Sequence, residues 1–160
     1  MGAAPEVPPK YPEVPPKYSV FLVGKAPSPE EESPVLAAYH SDESMDEARA
    51  GLASAQGGEV AASDLLMIWY SEVDYRGASA EIRGSAGPCD RSGYRLDTSN
   101  ATFGIWGKIL SSARRGVGQC NTARFFNRMM TYSEMMSLPT NYVGDTLNDN
   151  VGRIDVYFSG

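Results

Sequence analysis

The sequence predicts a mainly-β fold: an all-β sandwich over residues 63–160, behind an N-terminal arm that contains one helix. Three observations predict it. From residue 63 onward, short apolar or alternating runs follow one another at spacings of about 8–15 residues, separated by Gly, Asp, Asn and Ser turns. Before residue 63 only one stretch has helical periodicity. The β half is also written twice, as two related stretches.

The chain opens with PEVPPKY at residues 5–11 and repeats it unchanged at 12–18. Nine of its eleven prolines fall in the first 34 residues. Proline fixes φ and restrains the residue before it, so residues 1–18 read as an extended polyproline-II leader. The P-x-x-P spacing would also suit an aromatic groove, but a solvated leader is the preferred reading. Residues 19–62 read as an arm or pro-segment. Within it, SVFLVG (19–24) has strand character and is expected to add to an open sheet edge. APSPEEESP (26–34) is a breaker-rich acidic linker. Ser44 and Glu47 form an S-x-x-E capping box, Met45, Ala48, Leu52 and Ala55 share one face, and Gly57-Gly58 ends the helix.

The strand candidates of the β half are LLMIWY (65–70), ASAEIRG (78–84), GYRLD (93–97), SSAR (111–114), ARFFN (123–127), MMSL (135–138), NYVGD (141–145) and VGRIDVYF (151–158). Cys89 and Cys120 sit in turn-like settings, GPCD and GQCN. A bond between them would close a loop of about 30 residues and contribute roughly 3–4 kcal/mol through chain entropy. It would favour an oxidising compartment; two free thiols in a cytosolic protein is the alternative.

The repeat pairs IWYSEVDYRGASAEI (68–82) and IWGKILSSAR (105–114) with RFFNRMMTYSEMMSL (124–138) and TLNDNVGRID (146–155). In each copy an aromatic pair is followed about six residues later by a tyrosine, Tyr75 or Tyr132. WYSEVDYRGAS and LNDNVGRIDVYF resemble the two halves of the βγ-crystallin Greek-key motif, and the resemblance covers about residues 65–159. It implies a two-Greek-key sandwich. It also implies that Gly77 occupies the fold-over of the first hairpin, where a β-carbon would clash, with Tyr75 beside it and Ser79 similar to the serine that fastens it.

The departures bear on calcium. In calcium-binding members each ion takes ligands from both clamps, of the pattern N-D-x-x-S-S. Here the first clamp reads Gly107-Lys108-Ile109-Leu110-Ser111-Ser112 and keeps only the serines. The second reads Asn148-Asp149-Asn150-Val151-Gly152-Arg153 and keeps only the amide and acid. Ca²⁺ takes six to eight oxygens. Ser111, Asn148 and Asp149 therefore make at best one weak calcium site, and Lys108 puts a positive charge where a second ion would sit. The second hairpin has Ser133 and Glu134 where the family places its glycine, so that turn must differ. No other cofactor is expected.

Enzyme chemistry has little support. The single histidine, His40, lies in AAYHSDES outside the β half, and a Cys–His pair would need it to fold back onto Cys89 or Cys120. No G-x-S-x-G elbow, P-loop or H-E-x-x-H occurs. Asp145 with Asp149 imitates a glycosidase pair, but turn aspartates are commoner. The net charge of −6 argues against a nucleic-acid partner. No run approaches 18 apolar residues, and MGAAPE has neither the basic start nor the apolar run of a signal peptide.

A non-catalytic binding role is the expectation. The resemblance extends to microbial secreted inhibitors of metalloproteinases, so an extracellular protease is the expected partner. The alternatives are a structural or stress-type relative with weakened calcium binding, or a toxin-like or hydrolytic protein on the same scaffold. Two loops are candidates for docking, 97–107 and 127–134, with Phe103 and Trp106 in the first and Met129, Met130 and Tyr132 in the second. Met135 and Met136 crowd the second hairpin. Flexible methionines suit adaptable surfaces, and core filling is the competing explanation. Asn100-Ala101-Thr102 is a glycosylation sequon in a loop, meaningful only on a eukaryotic secretory route.

Overall fold

The computed structural model describes residues 16–28, 30–56, 63–116 and 120–159. Most of the PEVPPKY leader and the Gly57-Gly58 stop lie outside the described residues. The elements are β1 (Tyr18–Val23), β2 (Val35–Ser41), α1 (Met45–Gln56), β3 (Asp64–Glu72), β4 (Arg76–Gly84), β5 (Tyr94–Leu96), β6 (Ser112–Arg115), β7 (Thr122–Asn127), β8 (Ser133–Ser137) and β9 (Val151–Tyr157). Two short 3₁₀ turns, Ala101–Phe103 and Trp106–Lys108, connect β5 to β6.

These strands make two packed sheets, in the orders β2-β1-β4-β3-β6 and β5-β9-β7-β8. β3 to β6 come from the first repeat, yet β5 leaves its neighbours and pairs antiparallel with β9. The second repeat returns the exchange: Thr140 bridges to Ala113 of β6. Each repeat is thus a Greek key that lends its third strand to the other sheet. The expected strand NYVGD (141–145) does not form: the bridge at Thr140 precedes it, and the segment itself runs through a bend into turns. The expected strand SSAR is present as β6, and before it the 3₁₀ turns bring Phe103 and Trp106 inward to join the core.

The arm is built into the first sheet. β1 lies parallel to β4, with Tyr18 opposite Ser79 and Ile82 opposite Phe21, so the SVFLVG segment adds to the sheet edge as expected. β2 then pairs antiparallel with β1. Alternation along β1 sends Phe21 and Val23 into the main core and Val20 and Leu22 to the other face, where α1 covers them with Ala48 and Leu52. The last residues of the second PEVPPKY are part of the fold: the Ser79 N–H donates to the Lys17 carbonyl at 2.9 Å, and the Lys17 N–H donates to Asp42 at 3.1 Å.

α1 starts as the capping box requires, with the Glu47 N–H donating to Ser44 Oγ at 3.0 Å. The Glu47 carboxylate accepts from Ser41 Oγ at 2.5 Å rather than closing the box. Its apolar stripe is thin, and a charged contact supplements it. Arg49 forks onto Glu81 of β4, with Nε and Nη2 donating at 2.9 and 2.6 Å. Arg83 donates to the same carboxylate at 3.0 Å. Glu81 is 3% exposed, so its charge is held beneath the helix by two guanidiniums.

The core between the sheets is aromatic. Trp69 lies 5.3 Å from Phe103 and 5.9 Å from Trp106, ring centre to centre, and Phe21 lies 5.0 Å from Phe103. Cys89 and Cys120 are bonded, both fully buried, and join the segment before β5 to the start of β7. The bond therefore ties one repeat to the other.

Candidate functional site

The first hairpin, between β3 and β4, folds over as the sequence requires. Asp74, Tyr75 and Gly77 have φ of 60°, 62° and 85°. A β-carbon on Gly77 would run into the Ser71 hydroxyl and the Glu72 side chain, which reserves the position for glycine. Three serines fasten the turn. Ser71 Oγ accepts the Ala78 N–H at 2.9 Å, Ser112 Oγ donates to the Glu72 carbonyl at 2.6 Å and accepts the Tyr75 N–H at 3.1 Å, and Ser111 Oγ lies 3.1 Å from the Ser71 carbonyl. Ser79 sits one step further along β4, buried beside Tyr18, with its N–H on Lys17. Tyr75 packs edge-on to Tyr70, and the Arg114 guanidinium lies 4.3 Å from its ring centre.

The two clamps meet under this hairpin. Ser111 Oγ is 2.5 Å from Asn148 Oδ1, and the Asp149 N–H donates to the Leu110 carbonyl at 3.1 Å. Asp149 has φ of 59°. Its carboxyl is held above the usual carboxylate range, first by partial burial and then by the charge of Glu72. So Ser111, Asn148 and Asp149 are brought together from distant sequence, with Glu72 as an acidic neighbour. The serine hydroxyl and the amide oxygen satisfy one another, which is how a clamp acts as a turn lock. Among the described residues no group of three or more His, Cys, Asp or Glu is placed to hold a metal. The side chains gathered here are Ser111, Asn148, Asp149 and Glu72, and the first two already hydrogen-bond one another.

The second hairpin is a different object. Asn127 ends β7 with its side chain folded back: Oδ1 accepts the Thr131 and Tyr132 N–H groups at 2.8 and 3.1 Å, and Nδ2 donates to Thr131 Oγ1 at 2.9 Å. The Asn127 N–H donates to the Tyr132 carbonyl, and Met130 takes φ of 60° at the tip. One buried asparagine therefore does what the glycine fold-over does in the first hairpin. The tip carries apolar side chains into solvent: Met129 is 80% exposed, Met130 50%, Tyr132 42% and Met135 54%. The Tyr157 hydroxyl donates to Met135 Sδ at 2.9 Å, and Tyr132 donates to Glu134 at 2.9 Å, which raises the phenol's pKa. Met136, the next residue, packs against the core.

The other docking loop does not present its aromatics. Phe103 and Trp106 are 1% and 2% exposed and belong to the core, so neither is available to a partner. Both face inward because the 3₁₀ turns roll them against Trp69. A loop position suggests exposure, but each aromatic is followed directly by glycine, Phe103-Gly104 and Trp106-Gly107, which is the available sequence sign of a tightly turned segment. The Cys–His arrangement is not formed either, since both cysteines are disulfide-bonded. His40 lies in β2, 2.7 Å from Ser19 Oγ through Nδ1 and edge-on to Phe21, and burial lowers its pKa. Asp145 accepts from the Tyr142 hydroxyl at 2.6 Å in the turn before Asp149.

No family model matches the chain, and no curated protein matches it. Among solved structures, the chain is similar to a βγ-crystallin domain from Flavobacterium johnsoniae, at 18% identity and a TM-score of 0.44, over 59% of this chain and 97% of that one. It is also similar to one from Clostridium beijerinckii, at 15% identity and a TM-score of 0.42, over 57% of this chain and 97% of that one. The β half is a two-sheet sandwich of two strand-exchanged Greek keys, the architecture that the sequence leads one to expect.

Proposed function

We propose that this protein is a non-catalytic, extracellular binding module that docks a protein partner through the β7–β8 hairpin. The observation that carries this reading is the rigid tip on which Met129, Met130, Tyr132 and Met135 stand exposed. Apolar side chains held out by a preorganised loop lose little entropy on docking, and methionine adapts its shape to the surface it meets. The disulfide supports an oxidising destination. No helix among the described residues is long and apolar enough to cross a membrane.

The finer form of this reading is inhibition of an extracellular metalloproteinase, with the tip inserted at or beside the substrate cleft. The experiment is a titration of a panel of extracellular proteases at fixed enzyme concentration. Stoichiometric loss of activity against one of them is the expected result. Full activity across the panel removes inhibition as the role.

A second reading has its own observation, the meeting of Ser111, Asn148 and Asp149 beside Glu72. It is a structural protein that binds calcium weakly. Millimolar Ca²⁺ would then raise the melting temperature by mass action, and an unchanged value with and without chelator rules that role out.

A further inference from the structure

A cavity of about 490 Å³ opens at the seam between the arm and the first Greek key, away from the methionine hairpin. Its wall holds Lys25 and Ser28 from the segment after β1, Arg91, Ser92 and Gly93 from the segment that leads into β5, and Arg95 of β5 itself. Three of its lining residues are basic and none is acidic. In a chain with 20 acidic and 14 basic residues that concentration runs against the overall charge.

Two of the three cations have carboxylate partners, Lys25 with Asp90 and Arg95 with Asp155, which leaves Arg91. Asp90 turns its carboxylate into its own loop, where it accepts from the Gly93 N–H at 2.7 Å, Ser92 Oγ at 2.8 Å and Lys25 Nζ at 3.2 Å. Those contacts, the backbone one foremost, hold it well below the usual carboxylate range. Lys25 also lies 5.0 Å from the Tyr94 ring centre, which fixes its ammonium at the rim. Arg95 is anchored in the wall, with Nη1 donating to the Glu31 carbonyl at 3.0 Å and Nε 3.8 Å from Asp155. Arg91 is exposed and has no hydrogen bond or ion pair among the described residues. A guanidinium offers a planar fork that matches an oxyanion in two hydrogen bonds.

We propose that this seam cavity binds a small oxyanion, a phosphate, sulfate or carboxylate group, with the Arg91 guanidinium as its principal contact. The Ser28 hydroxyl adds a polar group to the wall, while Lys25 and Ser92 line it as partners of Asp90. The volume lies within the range of small-molecule sites and exceeds what a bare ion fills, so it leaves room for a sugar-sized body attached to the anionic group. The arm supplies one wall and the Greek key the other. Cys89, one residue before Asp90, ties the second wall to Cys120 of the other repeat. The site exists only while the arm is docked, and it gives residues 25–28 a role beyond connecting β1 to β2.

The test is an amide chemical-shift titration of the full chain with inorganic phosphate, inorganic sulfate and glucuronate, each against sodium chloride at equal ionic strength. Saturating shifts at Ser28, Ser92 and Gly93, absent with chloride, are expected with at least one of the three anions. In Arg91→Ala the apparent affinity falls at least tenfold, while Arg76→Ala, on the exposed first hairpin, binds as the parent does. Tighter binding of glucuronate than of the inorganic ions identifies an anionic sugar as the source of the group; the reverse order identifies a free ion. Absence of saturating shifts with all three, or equal affinity in Arg91→Ala and the parent, overturns the proposal.

Discussion

Gly77 is the residue on which the first hairpin turns. Any side chain there adds the cost of φ at 85° to a collision with Ser71 and Glu72. Gly77→Ala is expected to lower stability by about 1–3 kcal/mol, read as a shift in the urea midpoint with unchanged slope. Glu81→Ala leaves Arg49 and Arg83 without their shared anion and is expected to cost about 1–3 kcal/mol, the smaller figure reflecting the partial exposure of Arg49. His40 sets a pH dependence. Burial lowers its folded pKa below the ordinary imidazole value, so the folded state favours the neutral ring. Stability is retained above the ordinary value, near 6.5, and falls as pH drops from there toward the lower folded value. The melting temperature is expected to fall between pH 7.5 and pH 5.5, and His40→Gln to flatten that part of the profile. At this scale the sequence was legible where geometry is singular. Gly77 declares itself by the clash that only glycine avoids. Asn127 did not, because an asparagine after a strand is common and its back-folding side chain is visible only once Thr131 and Tyr132 are in place.

Among the elements, β1 and β2 separate what patterning reveals from what it hides. VFLV (20–23) is continuously apolar because one face meets the core and the other meets α1, and such a run reads as a buried strand. VLAAYHS has two alanines and no strong alternation, and its strand state comes from pairing with β1. The 3₁₀ turns between β5 and β6 were illegible for the opposite reason: IWGKIL has strand composition, but its apolar residues are needed at one compact corner of the core. The docking of β1 predicts how truncation behaves. Removing residues 1–15 should leave the melting temperature unchanged within about 1 °C, an effect inside the ordinary surface range. Phe21→Ala, by contrast, opens the main core and should cost about 3–5 kcal/mol, although it lies in the arm. Circular dichroism melts of the two variants distinguish a detachable arm from an integral one.

For the whole molecule, the disulfide joins the two repeats across a separation of 31 residues, and its reduction is expected to cost about 3–4 kcal/mol. The two-Greek-key plan was visible because the duplicated aromatic, tyrosine and clamp positions recur in both halves. The exchange of β5 and Thr140 between sheets carries no signal of its own in a single sequence. Function was less legible than fold. Both candidate loops carried large apolar residues, and only three-dimensional packing separates Phe103 and Trp106, which fill the core, from Met129 and Met130, which face solvent. That separation leaves the apolar tip of the β7–β8 hairpin as the docking surface we propose. The most direct measurement titrates the parent and the double variant Met129→Ser/Met130→Ser against extracellular metalloproteinases, with circular dichroism confirming that both are folded. The parent should abolish activity of a sensitive protease at a one-to-one ratio, and the double variant should need at least tenfold more protein. A folded double variant that inhibits as well as the parent, or a parent that inhibits none, contradicts the account.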